Sequence, residues 1–249
     1  MGRTLGVLAA FSLTAVPAMA QTVVSNWAAS SGFYPDQVSP VWTFGANGGS
    51  TLLSGGVLTI TSSSGGNDPN FSQTTSLLPT PVNTWTMEFE MRVVSGSSTE
   101  AWRASAGVRF STESGNVGNG LFIERTGVGT GTIFINQGPS GSESRAATFA
   151  LDTTVFHLYR IELDPNRDIR VFVDGVQRLT GATFVNTSLS QPIPQLAWGD
   201  LAGAASGVSE WKSFNHTASA IPEPGTVAAL MGLTALGTVA AFRRRRAAN

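Results

Sequence analysis

A stretch in the first half of the chain alternates apolar and polar side chains without interruption. Residues 85–93 read Trp-Thr-Met-Glu-Phe-Glu-Met-Arg-Val. Alternation with a period of two places successive side chains on opposite faces of a β-strand, whereas a helix requires a period of 3.6. The apolar set would face a core and the polar set would face water. This pattern predicts a half-buried strand in an antiparallel sheet.

Further strand-like segments follow at short intervals and are separated by turn residues. They are residues 56–61, 107–110, 120–124, 132–135, 156–163, 169–173 and 208–214. Gly127, Gly129 and Gly131 predict a hairpin turn, and Asp174-Gly175 predicts a second one. The same part of the chain shows no clear helical period. The sequence therefore predicts an all-β fold, a sandwich of two antiparallel sheets.

Composition excludes several classes of site. The 249 residues include no cysteine and two histidines, and 12% of them are charged. Without cysteine there are no disulfides, no thiol catalysis and no cysteine-ligated zinc. The net charge of −1 gives no basic excess to attract nucleic acid. We therefore expect no nucleic-acid partner.

The N-terminal residues have the three parts of a secretory signal. Arg3 supplies a positive charge, residues 5–16 are apolar and uncharged, and small residues then stand at the −3 and −1 positions of an Ala-x-Ala site, Ala18 and Ala20. Such a segment is too short to span a membrane but fits a signal peptide. We predict a signal peptide over residues 1–20, cleaved between Ala20 and Gln21.

A second apolar segment lies near the C-terminus. Residues 225–242 carry no charge, and a helix of this length covers about 27 Å, most of a ~30 Å hydrocarbon core. A basic cluster follows directly, made of Arg243, Arg244, Arg245 and Arg246. By the positive-inside rule these arginines stay in the cytoplasm. We predict a transmembrane helix over 225–242 with the body of the protein on the opposite side of the membrane.

The order of these C-terminal features resembles a known family of sorting signals. Pro222-Glu223-Pro224, the apolar span and the arginine cluster together are similar to a PEP-CTERM signal. The two prolines lack N–H donors and keep the tripeptide out of a helix. The resemblance implies a Gram-negative bacterial protein of the cell surface or extracellular matrix, processed near this tripeptide by an exosortase. It covers residues 218–249 as linker and sorting signal, and signal peptidase would be the second processing partner.

The body resembles another family. Residues 157–164 followed by 169–175 are similar to paired strands of concanavalin A-like and laminin-G-like domains. Residues 32–36, Trp198-Gly199-Asp200 and the strand around Trp211 add to the resemblance. It implies one jelly-roll domain over residues 21–217. Because this fold carries lectins, glycanases and adhesion modules alike, it does not by itself assign a function.

Two carboxylates form the sharpest candidate for catalysis. Glu88 and Glu90 share one strand face with Cα atoms about 7 Å apart, and glycosidases use two carboxylates about 5–9.5 Å apart. The β-glucanases of this fold carry a Glu-x-Asp-x-x-Glu strand, whereas this chain has Glu-Phe-Glu-Met-Arg-Val, so the third acid is absent. A solvated strand face is the simpler interpretation, and we expect no enzyme activity.

Carbohydrate binding is the remaining hypothesis for the body. Sugars stack on aromatic rings and bond to amide and carboxylate groups. The candidate ligand-binding residues are Trp102, Asn116, Asn119, Trp198 and Asp200. Core packing is the alternative for each tryptophan. Asp200 is also a weak calcium candidate, since no Asp-x-Asp-x-Asp run supports it; no other cofactor is expected.

These observations together predict an exported protein of the cell surface or extracellular matrix. Its precursor would sit in the inner membrane with the body in the periplasm. The sandwich would be non-catalytic and would bind an exopolysaccharide of a biofilm matrix. The alternatives are a glycoside hydrolase or lyase of the same fold, and a structural surface protein without a ligand.

Overall fold

The computed structural model describes the body of the chain. The described residues are 25–46, 48–63, 69–74, 84–98, 104, 106–111, 117–137, 144–164, 166, 168–182, 184–185, 195–201 and 205–217. The predicted signal peptide and the sorting signal lie outside these residues.

The described residues form sixteen strands and two short 3₁₀ helices, Ala29–Ser31 and Pro35–Gln37. The strands are β1 (Ser25–Ala28), β2 (Thr43–Gly45), β3 (Ser50–Ser54), β4 (Val57–Ser62), β5 (Asn70–Thr74), β6 (Trp85–Ser98), β7 (Gly107–Ser111), β8 (Val117–Gly127), β9 (Thr130–Gln137), β10 (Ser144–Leu151), β11 (His157–Leu163), β12 (Asp168–Val173), β13 (Val176–Ala182), β14 (Phe184–Val185), β15 (Gln195–Gly199) and β16 (Ala205–His216).

The strands form two sheets of eight. The first sheet has the order β13-β12-β11-β6-β16-β4-β3, with β1 paired to β16. The second has the order β10-β9-β8-β7-β15-β5-β2, with β14 paired to β8. Every pair in both sheets for which a register is resolved is antiparallel. The prediction of an all-β jelly-roll sandwich is confirmed.

Alternation along β6 explains how the first sheet meets the core. Trp85, Met87, Phe89, Met91 and Val93 are all buried. The side chains between them point away from the core and are half-buried. The strand predicted from the period-two pattern is therefore present, with the predicted face inward, and it extends to Ser98.

Aromatic rings fill the centre of the sandwich. Trp198 of β15 packs against Trp211 and Phe214 of β16, with ring centroids 4.8 and 5.2 Å apart. It also lies 5.3 Å from Trp27 and 4.9 Å from Phe71. Since the neighbours come from both sheets, this cluster joins the two layers across the core.

The hairpin between β12 and β13 follows directly from its turn residues. Asp174 and Gly175 have φ angles of +50° and +79°. A two-residue turn with both central φ values positive matches the twist of the flanking strands, and Asp-Gly is a preferred pair for it. The predicted turn is present, as is the predicted hairpin at Gly127–Gly131, where β8 and β9 pair.

The two ends of the described body lie side by side. Ser25 of β1 pairs with His216 of β16. Among the described residues, no helix has the length and apolar character needed to cross a bilayer.

Candidate functional site

Small residues line the centre of the second sheet on its outer face, the face turned away from the core. Gly107 of β7 stands opposite both Phe122 of β8 and Gly199 of β15. Two positions along β7, Arg109 stands opposite Gly120 and Ala197. We call the four small residues the floor: Gly107, Gly120, Ala197 and Gly199. With no side chain larger than a methyl group, the floor lets a neighbouring side chain pack directly on the backbone of three adjacent strands, and all four of its residues are buried.

One aromatic ring depends on two of these glycines. A Cβ atom added at Gly107 would lie 3.0 Å from Cδ1 of Phe122 and 2.8 Å from the Leu121 carbonyl oxygen. A Cβ added at Gly120 would lie 3.0 Å from Cε2 of the same ring. The Phe122 ring therefore covers both glycines, and a larger residue at either position would displace it.

Phe122 is half of a second apolar cluster, separate from the core. It stacks on Phe134 of β9 with centroids 5.6 Å apart, and the two rings are 5% and 0% exposed. Ala104, Ala205 and Leu201 pack against them. These two phenylalanines lie on the outer face, so the cluster forms a firm wall beside the floor.

Sequence analysis did not identify this cluster, although a signal was present. Leu121, Phe122 and Ile123 are consecutive apolar residues, as are Ile133, Phe134 and Ile135. A continuous apolar run indicates a strand buried on both faces, not on one. The burial of all six residues agrees with that rule.

Polar side chains flank the wall. The guanidinium of Arg145 lies 4.0 Å from the centre of the Phe134 ring, and its Nη1 atom is 2.8 Å from Oε2 of Glu124. Asn136 stands opposite both Gly120 and Arg145. Its Oδ1 atom is buried and has no hydrogen-bond partner in the structure. Because an unsatisfied buried carbonyl is unfavourable, this oxygen is suited to accept a hydrogen bond from a ligand hydroxyl.

The structure assigns Trp198 to the core. Its side chain is 0% exposed, so no ring face is open to a sugar. The prediction that Trp198 contributes to ligand binding is corrected: the residue anchors the aromatic centre between the sheets, as its packing alternative stated.

Asp200 lies just beyond β15 and is fully buried. Its backbone N–H donates to the Pro69 carbonyl oxygen at 3.0 Å. Among the described residues no group of three His, Cys, Asp or Glu side chains is arranged to hold a metal ion. The proposed calcium role of Asp200 therefore stays a prediction without a second ligand.

The other predicted binding residues are less defined. Asn119 belongs to β8, opposite Phe110. Trp102 and Asn116 lie outside the described residues, as do the processing residues Ala20, Gln21, Pro222, Glu223 and Pro224 and the arginine cluster 243–246.

The two glutamates considered for catalysis lie on the other sheet. Glu88 and Glu90 share the outer face of β6, as predicted, and both are half-buried. Lys212 of β16 donates to Oε1 of Glu90 at 2.6 Å. The neighbouring Arg92 donates to Glu210 at 2.7 Å. This face therefore carries an array of ion pairs, which agrees with the simpler interpretation, a solvated strand face.

A third polar cluster joins the sheets at their edge. His157 of β11 contacts Oδ2 of Asp174 through Nδ1 at 2.6 Å and the Asp152 carbonyl oxygen through Nε2 at 2.9 Å. Hydrogen bonds from the Thr154 hydroxyl and amide lower the pKa of Asp152. Burial raises the pKa of Asp174, but hydrogen bonds from His157 and the Leu158 amide outweigh it, and the net pKa is lowered. These hydrogen bonds join His157 and Leu158 of β11 to Asp174 of the β12–β13 turn and His157 to Asp152 after β10, so the cluster links the two sheets at this edge.

Comparison with known proteins identifies the C-terminal segment. Residues 220–246 match the PEP-CTERM protein-sorting motif, which confirms that prediction. No curated protein matches the chain by sequence.

Several solved structures are similar to the body. The carbohydrate recognition domain of Emp46p, in its potassium-bound form, is 14% identical with a TM-score of 0.39, and the match covers 76% of this chain and 94% of that one. The β-glucanase of Bacillus licheniformis is 11% identical with a TM-score of 0.43, covering 73% and 95%. The endo-1,3-β-glucanase from Streptomyces sioyaensis is 15% identical with a TM-score of 0.45, covering 70% and 88%.

Proposed function

We propose that this chain is an exported surface or extracellular-matrix protein whose sandwich binds a polysaccharide without cleaving it. The PEP-CTERM motif indicates export and processing by an exosortase. In the proposal the precursor is held in the inner membrane with its body in the periplasm. The mature form then acts at the cell surface or in the matrix, where exopolysaccharide is the available ligand.

The observation that carries the binding proposal is the Oδ1 atom of Asn136, which has no hydrogen-bond partner in the structure and lies beside the aromatic wall of the second sheet. A sugar ring has an apolar face and a rim of hydroxyl groups. Arg109 and Asn136 stand beside Gly120 in the strand register and can bond to hydroxyl groups. The stacked rings of Phe122 and Phe134 keep the wall rigid, and a rigid wall lowers the entropy lost on binding.

The proposal is non-catalytic because of where the carboxylates lie. Glycoside hydrolysis by the usual route needs two carboxyl groups flanking one bond. On the outer face of the second sheet, the described part of the chain offers Glu124, which is paired with Arg145. Glu88 and Glu90 are on the opposite side of the sandwich, and Lys212 holds one of them. The hydrolase alternative rests on those two residues.

A polysaccharide pull-down with residues 21–220 tests the proposal. We expect retention by exopolysaccharide of the host, with no release of reducing ends. Gly120→Val should abolish retention, because its added methyl groups would displace the Phe122 ring that covers Gly120 and disturb the neighbouring Asn136. Glu90→Gln, on the other sheet, is the matched control and should bind normally.

Each other outcome selects an alternative. Release of reducing ends that is lost on Glu88→Gln or Glu90→Gln would establish the hydrolase. Absence of binding to any polysaccharide, with a folded domain, would leave the structural surface protein.

A further inference from the structure

The end of the sandwich from which the chain continues toward the sorting motif is held by a specific clamp. The Thr217 amide donates to the Thr86 carbonyl oxygen at 2.9 Å, and the Thr86 amide donates to the Thr217 hydroxyl at 2.8 Å. This reciprocal pair joins the residue after β16 to the start of β6, the central strand of the first sheet. We call it the Thr217 clamp.

The clamp is supported on both sides. His216 is 1% exposed, pairs with Ser25 of β1 and lies 2.6 Å from Oε1 of Gln73 in the second sheet. Two sheets and the first strand therefore meet at this point. Thr217 is therefore a fixed part of the fold, so it does not add to the length of chain between the sandwich and the sorting motif.

The tether between the clamp and the sorting motif is short. Four residues, 218–221, separate Thr217 from Pro222. Fully extended, five Cα steps reach about 17 Å. A domain of roughly 190 residues has a radius of gyration of about 16 Å. The motif therefore cannot move farther from the clamp than about one radius of the domain that it follows.

A protease that acts beside the membrane must share this space with the folded sandwich. Release of the clamp would add about one Cα step, or about 3.8 Å, because Thr217 could then follow the motif while His216 stays paired with Ser25. While the clamp is intact, the end of the sandwich stays next to the exosortase. The charged groups near the clamp include Glu162, which stands opposite Thr86, and Glu88, which stands opposite Asn215. Glu162 is paired with Arg160 and Arg170.

We propose that the Thr217 clamp limits the processing of this chain, because it holds the sorting motif too close to the folded sandwich for free access by the exosortase. The inference rests on exosortase processing of the motif. It makes Thr217 an access-controlling residue, not part of the cleavage site itself.

Pulse-chase conversion of the full-length precursor to its shorter form, in cells that carry the exosortase, tests the proposal. Insertion of four and of eight Gly/Ser residues after Thr217 should accelerate conversion, by at least threefold for the longer insertion. Thr217→Val, which removes the hydroxyl acceptor but keeps the side-chain shape, should accelerate it less. Removal of residues 218 and 219 should slow conversion.

Two controls separate the possible failures. The same eight residues inserted between Asp174 and Gly175, at the opposite end of the first sheet, should leave the rate unchanged. Replacement of Pro222, Glu223 and Pro224 by alanine should stop conversion; continued conversion would mean that the motif is not the processing signal, which is a failure of the proposed function.

With the motif control intact, equal rates for the insertions, the deletion and the parent chain would overturn the clamp proposal. Slower conversion of the insertion variants would also overturn it. Urea denaturation of the extracted Thr217→Val precursor, followed by tryptophan fluorescence, shows whether the sandwich stays folded, and the insertion series does not depend on that variant.

Discussion

The outer faces of the two sheets have opposite chemistry. On the first sheet, acidic and basic side chains alternate and pair across strands: Arg92 with Glu210, Lys212 with Glu90, and Arg170 with Glu162. On the second sheet, the corresponding centre consists of glycine and alanine beside two buried phenylalanine rings. The first face satisfies its polar groups internally, whereas the second leaves one buried amide oxygen, Oδ1 of Asn136, without a hydrogen-bond partner.

The contrast shows that the two outer faces of one sandwich can differ in chemistry. Exposed ion pairs contribute little stability individually, but they keep a flat sheet face soluble. A small-residue face contributes no charge, and here it lets the Phe122 ring pack closely on Gly107 and Gly120. The four predictions that follow test this difference, from the largest expected effect to the smallest.

Replacement of the wall phenylalanine has the largest expected effect. Phe134→Ala should lower the free energy of unfolding by about 3 to 4 kcal/mol, because the ring is fully buried and supports Phe122 and Arg145. On the first sheet, Phe172 is half-buried beneath Arg160 at 4.3 Å, and Phe172→Ala should cost about 1 kcal/mol. Urea denaturation monitored by tryptophan fluorescence measures both. Equal losses would mean that the faces are packed alike.

Filling the floor should have an intermediate effect. Gly107→Ala places a Cβ 2.8 Å from the Leu121 carbonyl oxygen, so the backbone must shift, at a cost of about 1 to 3 kcal/mol. Ser97→Ala on the first sheet removes an exposed hydroxyl and should change stability by less than about 0.5 kcal/mol. Thermal unfolding of the two variants gives the comparison. A neutral Gly107→Ala would show that Phe122 does not need the glycine.

The paired charges of the first sheet should be nearly dispensable. A double-mutant cycle with Lys212→Met and Glu90→Gln should give a coupling of about 0.2 to 1 kcal/mol, because both side chains are more than a third exposed. The coupling should fall further in 1 M salt. A coupling above about 2 kcal/mol, insensitive to salt, would contradict the description of this face as a solvated array of ion pairs.

The polar cluster between the sheets predicts a small pH dependence. The pKa values of Asp152 and Asp174 are lowered in the folded protein. Their stabilising effect is therefore present above the unfolded value of about 3.9 and is lost as the pH falls through the folded pKa. Asp174→Asn should lower the melting temperature at pH 6, and the difference from the parent should shrink toward pH 2. A difference that stays constant over this range would exclude the linkage.

The sequence predicted those features that depend on neighbouring residues. The strand at 85–93 follows from the local alternation of apolar and polar side chains. The turn at Asp174-Gly175 follows from the tolerance of these two residues for positive φ. The sorting motif at 220–246 is likewise a linear pattern. These predictions were confirmed because no distant contact was needed to make them.

The features that depend on distant contacts were not predicted. Trp198 was considered for ligand binding, but Trp27 and Phe214, far away in sequence, enclose it. The wall on the second sheet required knowledge that Ala104 and Leu201 cover Phe122 and Phe134. Neither partner can be identified from strand periodicity, although the continuous apolar runs indicated burial on both faces.

The most direct test of the central claim compares one arginine from each face. Arg109 stands beside the floor, and Arg160 contacts Glu162 on the first sheet at 3.4 Å. We expect Arg109→Gln to weaken the binding of exopolysaccharide to the mature protein by at least tenfold, measured by calorimetry, and Arg160→Gln to leave the affinity unchanged. Unchanged affinity for Arg109→Gln together with a loss for Arg160→Gln would contradict the assignment of binding to the second sheet.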